Sequence, residues 1–414
     1  MKVLMLNTFD EWGGAARAAF RLHRGVRGSG IDSRLLVQFK SGDVKDVLCN
    51  THPFVKLTRQ ARLVLDSLPA RLHPNRPIHN FTPALLPEML AGKIAAMEHD
   101  LLHLHWMAGG FLRLETLKKF RKPLVWTLHD SWAFTGGCHV PFECVRYQQR
   151  CGACPVLGSS REKDLSRWVW RRKEKAWRNL NLTVVTPSRW MADCAKSSAL
   201  FHEVRVEVIP NGLDLALFKP VDKRLARELL CLPQDKKLIL FGAVGGTSDR
   251  NKGFPLLLAA LQKMSVGGWK DTAELMVFGA SEPACVEPFG MKARYFGRLH
   301  DEISLVLLYA AADVFVAPSM LESLGYTVME SMACGTPCIA FHQGGVPDLI
   351  EHGRTGYLAR PYDPDDLAAG IGRVLEDDVA RREMAQRARR KVEEEFALDK
   401  VAQRYAALYR EILA

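Results

Sequence analysis

No apolar run in this 414-residue chain reaches the roughly 18 residues that a membrane-spanning helix needs. Met1-Lys2 runs straight into Val3-Leu4-Met5-Leu6, which reads as a strand and not as the charged and apolar regions of a secretory signal. A cytoplasmic location is expected, so the ten cysteines read as thiols or metal ligands before disulfides, and the sequons at Asn80 and Asn181 carry no weight. A dinucleotide fingerprint is also missing. Gly13-Gly14 follows the first strand, but no third glycine stands in register, and Asp32 precedes its strand where an acid should end one. That argues against a dehydrogenase.

An excess of acid is likewise absent. Lys and Arg outnumber Asp and Glu by 57 to 46, giving a net charge of +11. The imbalance is lopsided: 33 basic residues face 19 acidic ones up to Pro220, and 24 face 27 beyond it. The basic half should meet an acidic partner, which charge alone leaves open as an anionic lipid surface, a lipid-diphosphate acceptor or a nucleic acid. The length suits two α/β domains of roughly 200 residues each.

Between the first strand and a helix from about Ala15 to Arg27, the pair Gly13-Gly14 lets backbone approach a phosphate or sugar. Further on, Leu101–His105 and Pro123–His129 read as strands, and parallel sheets bind ligands beyond such carboxyl ends. His129 and Asp130 therefore stand where chemistry is usual, while His103 and His105 are open between structural and acceptor-side roles. Cys138, Cys144, Cys151 and Cys154 follow within 17 residues, ending in a Cys-x-x-Cys knuckle before Pro155. Such spacing suits a structural zinc site holding a long loop at about 136–160, with an iron–sulfur cluster and four unligated thiols as the alternatives. From Arg161 to Arg178 a helix interleaves Trp168, Trp170 and Trp177 with basic residues. It suits either an anionic membrane face or aromatic packing on the core. The basic, amphipathic stretch 54–72 raises the same choice.

In the second half, Lys237–Gly242 reads as a strand, and Arg250 and Lys252 follow in Asp249-Arg-Asn-Lys-Gly-Phe254. These cations could neutralise a departing diphosphate. Asp313–Ala317 reads as a buried strand and Gly325–Ala333 as a helix stopped by Gly335 and Pro337. Free N–H groups at that helix start, reached through Ser323, Leu324 and Gly325, would seat a diphosphate. Glu322 lies in the preceding loop and Glu330 within the helix. Glu330 could accept from a ribose diol while Glu322 faces the transferred group.

Glu322-Ser-Leu-Gly-Tyr326, Met329-Glu-Ser-Met-Ala-Cys-Gly-Thr-Pro337, Gly344-Gly-Val-Pro-Asp348 and Gly353-Arg-Thr-Gly-Tyr357 run in an order that resembles the retaining glycosyltransferases of family 4, and the resemblance extends over nearly the whole chain. It implies a GT-B fold, two doubly wound α/β Rossmann-like domains facing an interdomain cleft, and a nucleotide-diphospho-sugar donor used without a catalytic metal. The acidic pair maps onto Glu322 and Glu330, and His129 onto the histidine that approaches the donor sugar. Gly13 and Gly14 then read as acceptor or donor-phosphate contacts. One departure stands out: the family has Gly-Arg after the strand where this chain has Gly242-Ala243, so Arg250 is expected to supply the guanidinium.

The resemblance places domains at 1–212 and 213–397, with a crossover near Val208–Phe218 and a helix at 398–414 packing back on the first domain. Val184–Ser188 reads as the last strand of that first domain. The strings Leu104-His-Trp106, Thr127-Leu-His-Asp130 and Thr135-Gly-Gly-Cys138 resemble exopolysaccharide and capsule transferases, including colanic-acid enzymes. They imply a hexosyltransferase acting on a glycan or lipid-linked acceptor, peripheral to the inner membrane face. Two rivals are a sugar phosphorylase or nucleotide-sugar epimerase, and a non-catalytic or nucleic-acid-binding subunit. The first gives no reason for the Glu322 to Glu330 signature, and the second, built on the basic half and the cysteine knuckle, predicts salt-sensitive nucleic-acid binding and no nucleotide-sugar turnover.

Overall fold

A computed structural model describes the chain except for residues 51–52, 74–79, 89, 243–244, 246, 248, 283–288 and 300, and the side chains of 54–56. It divides into two compact units, Met1–Gly212 with Asp399–Ala414, and Leu213–Leu398. The first holds a seven-stranded sheet in the order β3-β2-β1-β4-β5-β6-β7. Its strands are β1 Lys2–Phe9, β2 Asp32–Phe39, β3 Val47–Cys49, β4 Leu101–Leu104, β5 Leu124–Thr127, β6 Leu182–Thr186 and β7 Arg205–Val208. All neighbours pair in parallel, with Leu4 against Leu102 and Val125 against Thr183. A parallel sheet covered by helices on both faces needs nearly continuous apolar strands. Accordingly β4, β5 and β6 are buried at every residue.

Val184–Ser188 is therefore not the last strand of this sheet. The edge strand β7 follows it, reading Arg-Val-Glu-Val and buried at none of its residues. A short edge strand carries no apolar run, which is why the sequence pattern passes over it. The helix Leu398–Leu413 buries Val401, Tyr405, Ala406 and Tyr409 in one cluster with Val3, Met5 and Leu22. It thereby covers one face of the first sheet.

The second unit holds a six-stranded parallel sheet in the order β10-β9-β8-β11-β12-β13. Its strands are β8 Lys237–Gly242, β9 Ala273–Phe278, β10 Lys292–Tyr295, β11 Val314–Ala317, β12 Cys338–Phe341 and β13 Gly356–Ala359. Strand order reverses between β1 and β4 in one unit and between β8 and β11 in the other. Loops leaving the carboxyl ends of two such strands diverge and leave a crevice, the usual ligand position in open α/β sheets. Asp313, read as the first residue of β11, instead lies just before it. It is buried and takes hydrogen bonds from Arg227, Lys223 and the Leu238 amide at 2.7, 2.8 and 2.8 Å.

Two surface helices resolve the amphipathic readings. In Leu165–Trp177, capped by Asp164, Trp170 and Trp177 are buried. Only Trp168 is exposed, with the Arg172 guanidinium 4.7 Å above its ring. This helix packs two of its three tryptophans on the core. The helix Pro53–Arg71 behaves oppositely: Leu57, Val64, Leu65, Leu68 and, just past its end, Leu72 are all exposed. At offsets of 7, 8, 11 and 15 from Leu57 they share one helix face. No helix among the described residues is long and apolar enough to cross a membrane.

Candidate functional site

In the second unit, the loops after β8 and β11 clasp one another. Asp249 caps the turn Arg250–Lys252 by accepting from the Asn251 amide at 2.9 Å. Asn251 then reaches across, its side chain donating to the Leu321 carbonyl at 2.8 Å and its own carbonyl accepting from Met320 at 2.7 Å. Gly253, at φ +67°, lies so close that a Cβ there would stand 1.8 Å from the Pro318 carbonyl. Only glycine permits both the backbone angle and the approach. The clasp sets Lys252 Nζ 2.6 Å from Glu322 Oε1, with about a fifth of each side chain exposed. Burial works to lower the Lys252 pKa, yet the Glu322 carboxylate overrules it and the net shift is upward. Arg250 on the same turn is exposed.

Glu322 is held from its other side as well. The Gly345 amide donates to the Glu322 carbonyl at 2.9 Å, and a Cβ on Gly344, at φ +60°, would come within 2.3 Å of that oxygen. Ser323 is half-buried and Leu324 buried. Gly325, at φ +107°, is the N-cap of the helix Tyr326–Ala333, which begins with no side-chain cap and no acid in its first turn. Glu330, placed in that helix from the sequence, is wholly buried and accepts from the Tyr309 hydroxyl at 3.2 Å. Among these residues Asn251, Gly253, Gly344 and Gly345 received no role from the sequence. Their signal was only their place in the two quoted strings.

In the first unit, His129 and Asp130 follow β5, and His105 and Trp106 follow β4. Asp130 is an anchor: its Oδ1 accepts from the Trp132 amide at 2.8 Å, and its Oδ2 from Trp106 Nε1 at 2.8 Å and His139 Nδ1 at 2.7 Å. Burial pushes its carboxyl up, and these partners together pull the net value below the usual range. His139, unremarked in the sequence, is held in turn by Thr82 at 2.9 Å. His129 is half-buried and its Nε2 lies 3.0 Å from His105 Nδ1. Burial lowers its pKa to about 4, so the ring is neutral at pH 7. Gly13, at φ +88°, is the N-cap of the helix Gly14–Gly28, which also lacks a side-chain cap and a first-turn acid. A Cβ on Gly13 or Gly14 would meet nothing within 4 Å. Ala243, the departure from Gly-Arg, lies outside the described residues.

The cysteine loop gathers the four residues of the zinc expectation. Cys138, Cys144, Cys151 and Cys154 line one pocket, and none is in a disulfide. Yet among the described residues no group of three or more His, Cys, Asp or Glu side chains is placed to hold a metal ion. Cys138 and Cys154 pack as small apolar groups beside Ala70, Phe81, Val156 and Leu157. Burial pushes the Cys151 and Cys154 thiols up to about 12 and about 11.

Paired parallel Rossmann-like sheets, each with polar and charged loops at the carboxyl ends of its strands, define the GT-B class. Solved structures agree on the fold. Sucrose-phosphate synthase from Thermosynechococcus elongatus matches with a TM-score of 0.73 at 20% identity, over 99% of this chain and 98% of that one. HepE from Anabaena, in complex with UDP and glucose, matches with a TM-score of 0.67 at 18% identity, over 99% of each chain. The family model described as Glycosyltransferase Family 4 matches residues 12–217, and that described as Glycosyl transferases group 1 matches 237–377. The chain belongs to glycosyltransferase family 4. D-inositol 3-phosphate glycosyltransferase of Acidothermus cellulolyticus is 28% identical over 290 residues, 67% of this chain and 60% of that protein. The match thus spans less than two thirds of that relative's length.

Proposed function

We propose that this protein transfers a sugar, with retention at the anomeric carbon, from a nucleotide-diphospho-sugar to a glycan or lipid-linked acceptor, without a catalytic metal. The observation that carries the reading is the Lys252–Glu322 pair, held at 2.6 Å beside an uncapped helix start. Free N–H groups at a helix start, together with cations, stabilise a leaving diphosphate. Lys252 and the exposed Arg250 would meet its oxygens, while Glu322 would orient the sugar; His129 is the first unit's own candidate sugar contact. In the reaction the bond from the anomeric carbon to the β-phosphate oxygen breaks and the acceptor oxygen attaches on the same face. The acceptor's proton passes to a phosphate oxygen. The uncapped helix start at Gly14 in the first unit suits an anionic group of donor or acceptor. HepE bound to UDP and glucose supports UDP-glucose as the first donor to try.

The exposed stripe Leu57, Val64, Leu65, Leu68 and Leu72 supports peripheral docking on an anionic membrane, where a lipid-linked acceptor would be presented. The excess of basic residues up to Pro220 favours that surface. The test is nucleotide release and donor calorimetry over UDP-, GDP- and ADP-sugars, with membrane lipid extract and with soluble inositol phosphate as acceptors. Release from one donor with lipid extract, reduced roughly a hundredfold in Glu322→Gln, is the expected result. Binding of no donor would overturn the transferase reading; release with inositol phosphate alone would overturn the lipid-linked acceptor.

A further inference from the structure

Three histidines stand at the carboxyl ends of β4 and β5, and only one of them reaches the surface. His103 is wholly buried with both ring nitrogens engaged, Nδ1 by the Tyr409 hydroxyl at 2.6 Å and Nε2 by Thr127 Oγ1 at 2.8 Å. Its ring lies 4.2 Å from that of His105, centroid to centroid. His105 is 2% exposed and directs Nδ1 at His129 Nε2, 3.0 Å away. Its other nitrogen, Nε2, is buried and has no hydrogen-bond partner among the described residues.

A contact of 3.0 Å between two imidazole nitrogens contains one proton, and the rings decide which nitrogen carries it. Burial holds His105 well below the ordinary histidine value and His129 at about 4, so both are neutral at pH 7 and each carries a single N–H. The titratable neighbours acting on these rings are His23, His103 and Asp130, the last favouring protonation of His129. If His105 carried its proton on Nε2, that N–H would be stripped of water and given no acceptor. Buried N–H groups without a partner are rare in folded proteins and costly. The proton therefore sits on His105 Nδ1 and is donated to His129 Nε2. His129 must then carry its own on Nδ1.

We propose that His105 is a positioning residue that locks His129 in the Nδ1–H tautomer, so that His129 offers its ligand a hydrogen-bond donor and not a base. The role toward a ligand rests on the reading of His129 as a donor-sugar contact; the tautomer does not. A transferase whose leaving phosphate takes the acceptor's proton needs no histidine base, and a fixed N–H suits a sugar oxygen.

The experiment is heteronuclear NMR of protein labelled with 15N-histidine, with the His129 resonances assigned by their loss in His129→Asn. In the wild type without any donor, His129 should show a protonated Nδ1 and a bare Nε2. His105→Leu should move the proton to Nε2 or mix the tautomers. His105→Asn, whose amide can donate from nearly the same place, should restore the wild-type pattern. A wild-type His129 protonated on Nε2, or a pattern unchanged in His105→Leu, would overturn the proposal. Should the leucine variant fail to fold, the wild-type spectrum alone decides. With UDP-glucose, kcat/KM should fall roughly threefold to tenfold in His105→Leu and recover in His105→Asn. Absence of nucleotide release by the wild type overturns the transferase reading and leaves the tautomer result standing.

Discussion

Lys252 and Glu322 make a pair whose value lies in placement more than in stability. A partly exposed ion pair contributes little to folding, on the order of 0–1 kcal/mol. The same ammonium facing a diphosphate makes charge-assisted bonds that contribute more. Lys252→Met should therefore leave the melting temperature nearly unchanged while weakening UDP-sugar binding roughly tenfold to a hundredfold, as titration calorimetry would read. Glu330 is the converse case. It is buried against Tyr309, whose hydroxyl burial and that carboxylate push well above the ordinary phenol range. Glu330→Ala should destabilise the second unit by about 2–4 kcal/mol, measured by denaturant unfolding, in addition to any effect on donor.

At the scale of elements, two glycines decide where the Glu322 loop can lie. Gly344→Ala adds a Cβ 2.3 Å from the Glu322 carbonyl at a φ of +60°, so the loop must shift even though no charged group is touched. The expected outcome is reduced kcat/KM with a stability loss of about 1–2 kcal/mol, separable by comparing turnover with thermal melting. In the first unit the C-terminal helix carries Tyr405 and Tyr409 to the polar side chains of β4 and β5. Tyr405 bonds Thr127 at 2.9 Å, and Tyr409 bonds His103 at 2.6 Å. Tyr409→Phe removes one buried hydroxyl and should cost the first unit about 1 kcal/mol.

At the scale of the whole molecule, the two units should respond to acid at different pH. His23 and His103 are buried, and burial lowers them from 6.5 to about 4 and about 3. The unfolded chain thus takes up protons near pH 6.5 that the native first unit refuses. Stability is present above that pH and falls as pH drops toward 4, by about 1.4 kcal/mol per pH unit for each histidine. In the second unit, burial works to raise Asp313, and Lys223 and Arg227 overrule it and lower its pKa from 3.8. Its contribution is complete above the unfolded value and is lost only as pH falls below about 4. Eight of the nine tryptophans lie in the first unit, with Trp269 alone in the second. Tryptophan fluorescence should consequently show unfolding at progressively lower temperature from pH 7 to pH 5. A melting temperature that stayed flat over that range would contradict the buried neutral histidines. Vesicle flotation belongs to this scale too: binding to anionic vesicles should weaken with salt and be lost in Leu65→Asp with Leu68→Asp.

The sequence by itself determined the paired parallel sheets, because strands buried on both faces must be written as apolar runs, and Val3–Leu6, Leu101–Leu104 and Leu124–Thr127 are. It also determined the Glu322 to Glu330 string, whose order in the chain needs no folding to be read. What only the tertiary structure decided were matters of distance and accessibility. The edge strand β7 has no apolar run to announce it. The tryptophan-rich helix and the leucine-rich one are both amphipathic on paper, and packing alone buried one set of side chains and left the other facing water. Four cysteines at ligand-like spacing came together in one pocket. Asn251, Gly253 and Gly344 matter because loops far apart in sequence approach to within 3 Å. Likewise His105 gained its meaning from a neighbour 24 residues away. Periodicity reports which face a residue shares with its own element; contacts between loops depend on how separate elements are packed, and no local pattern encodes them.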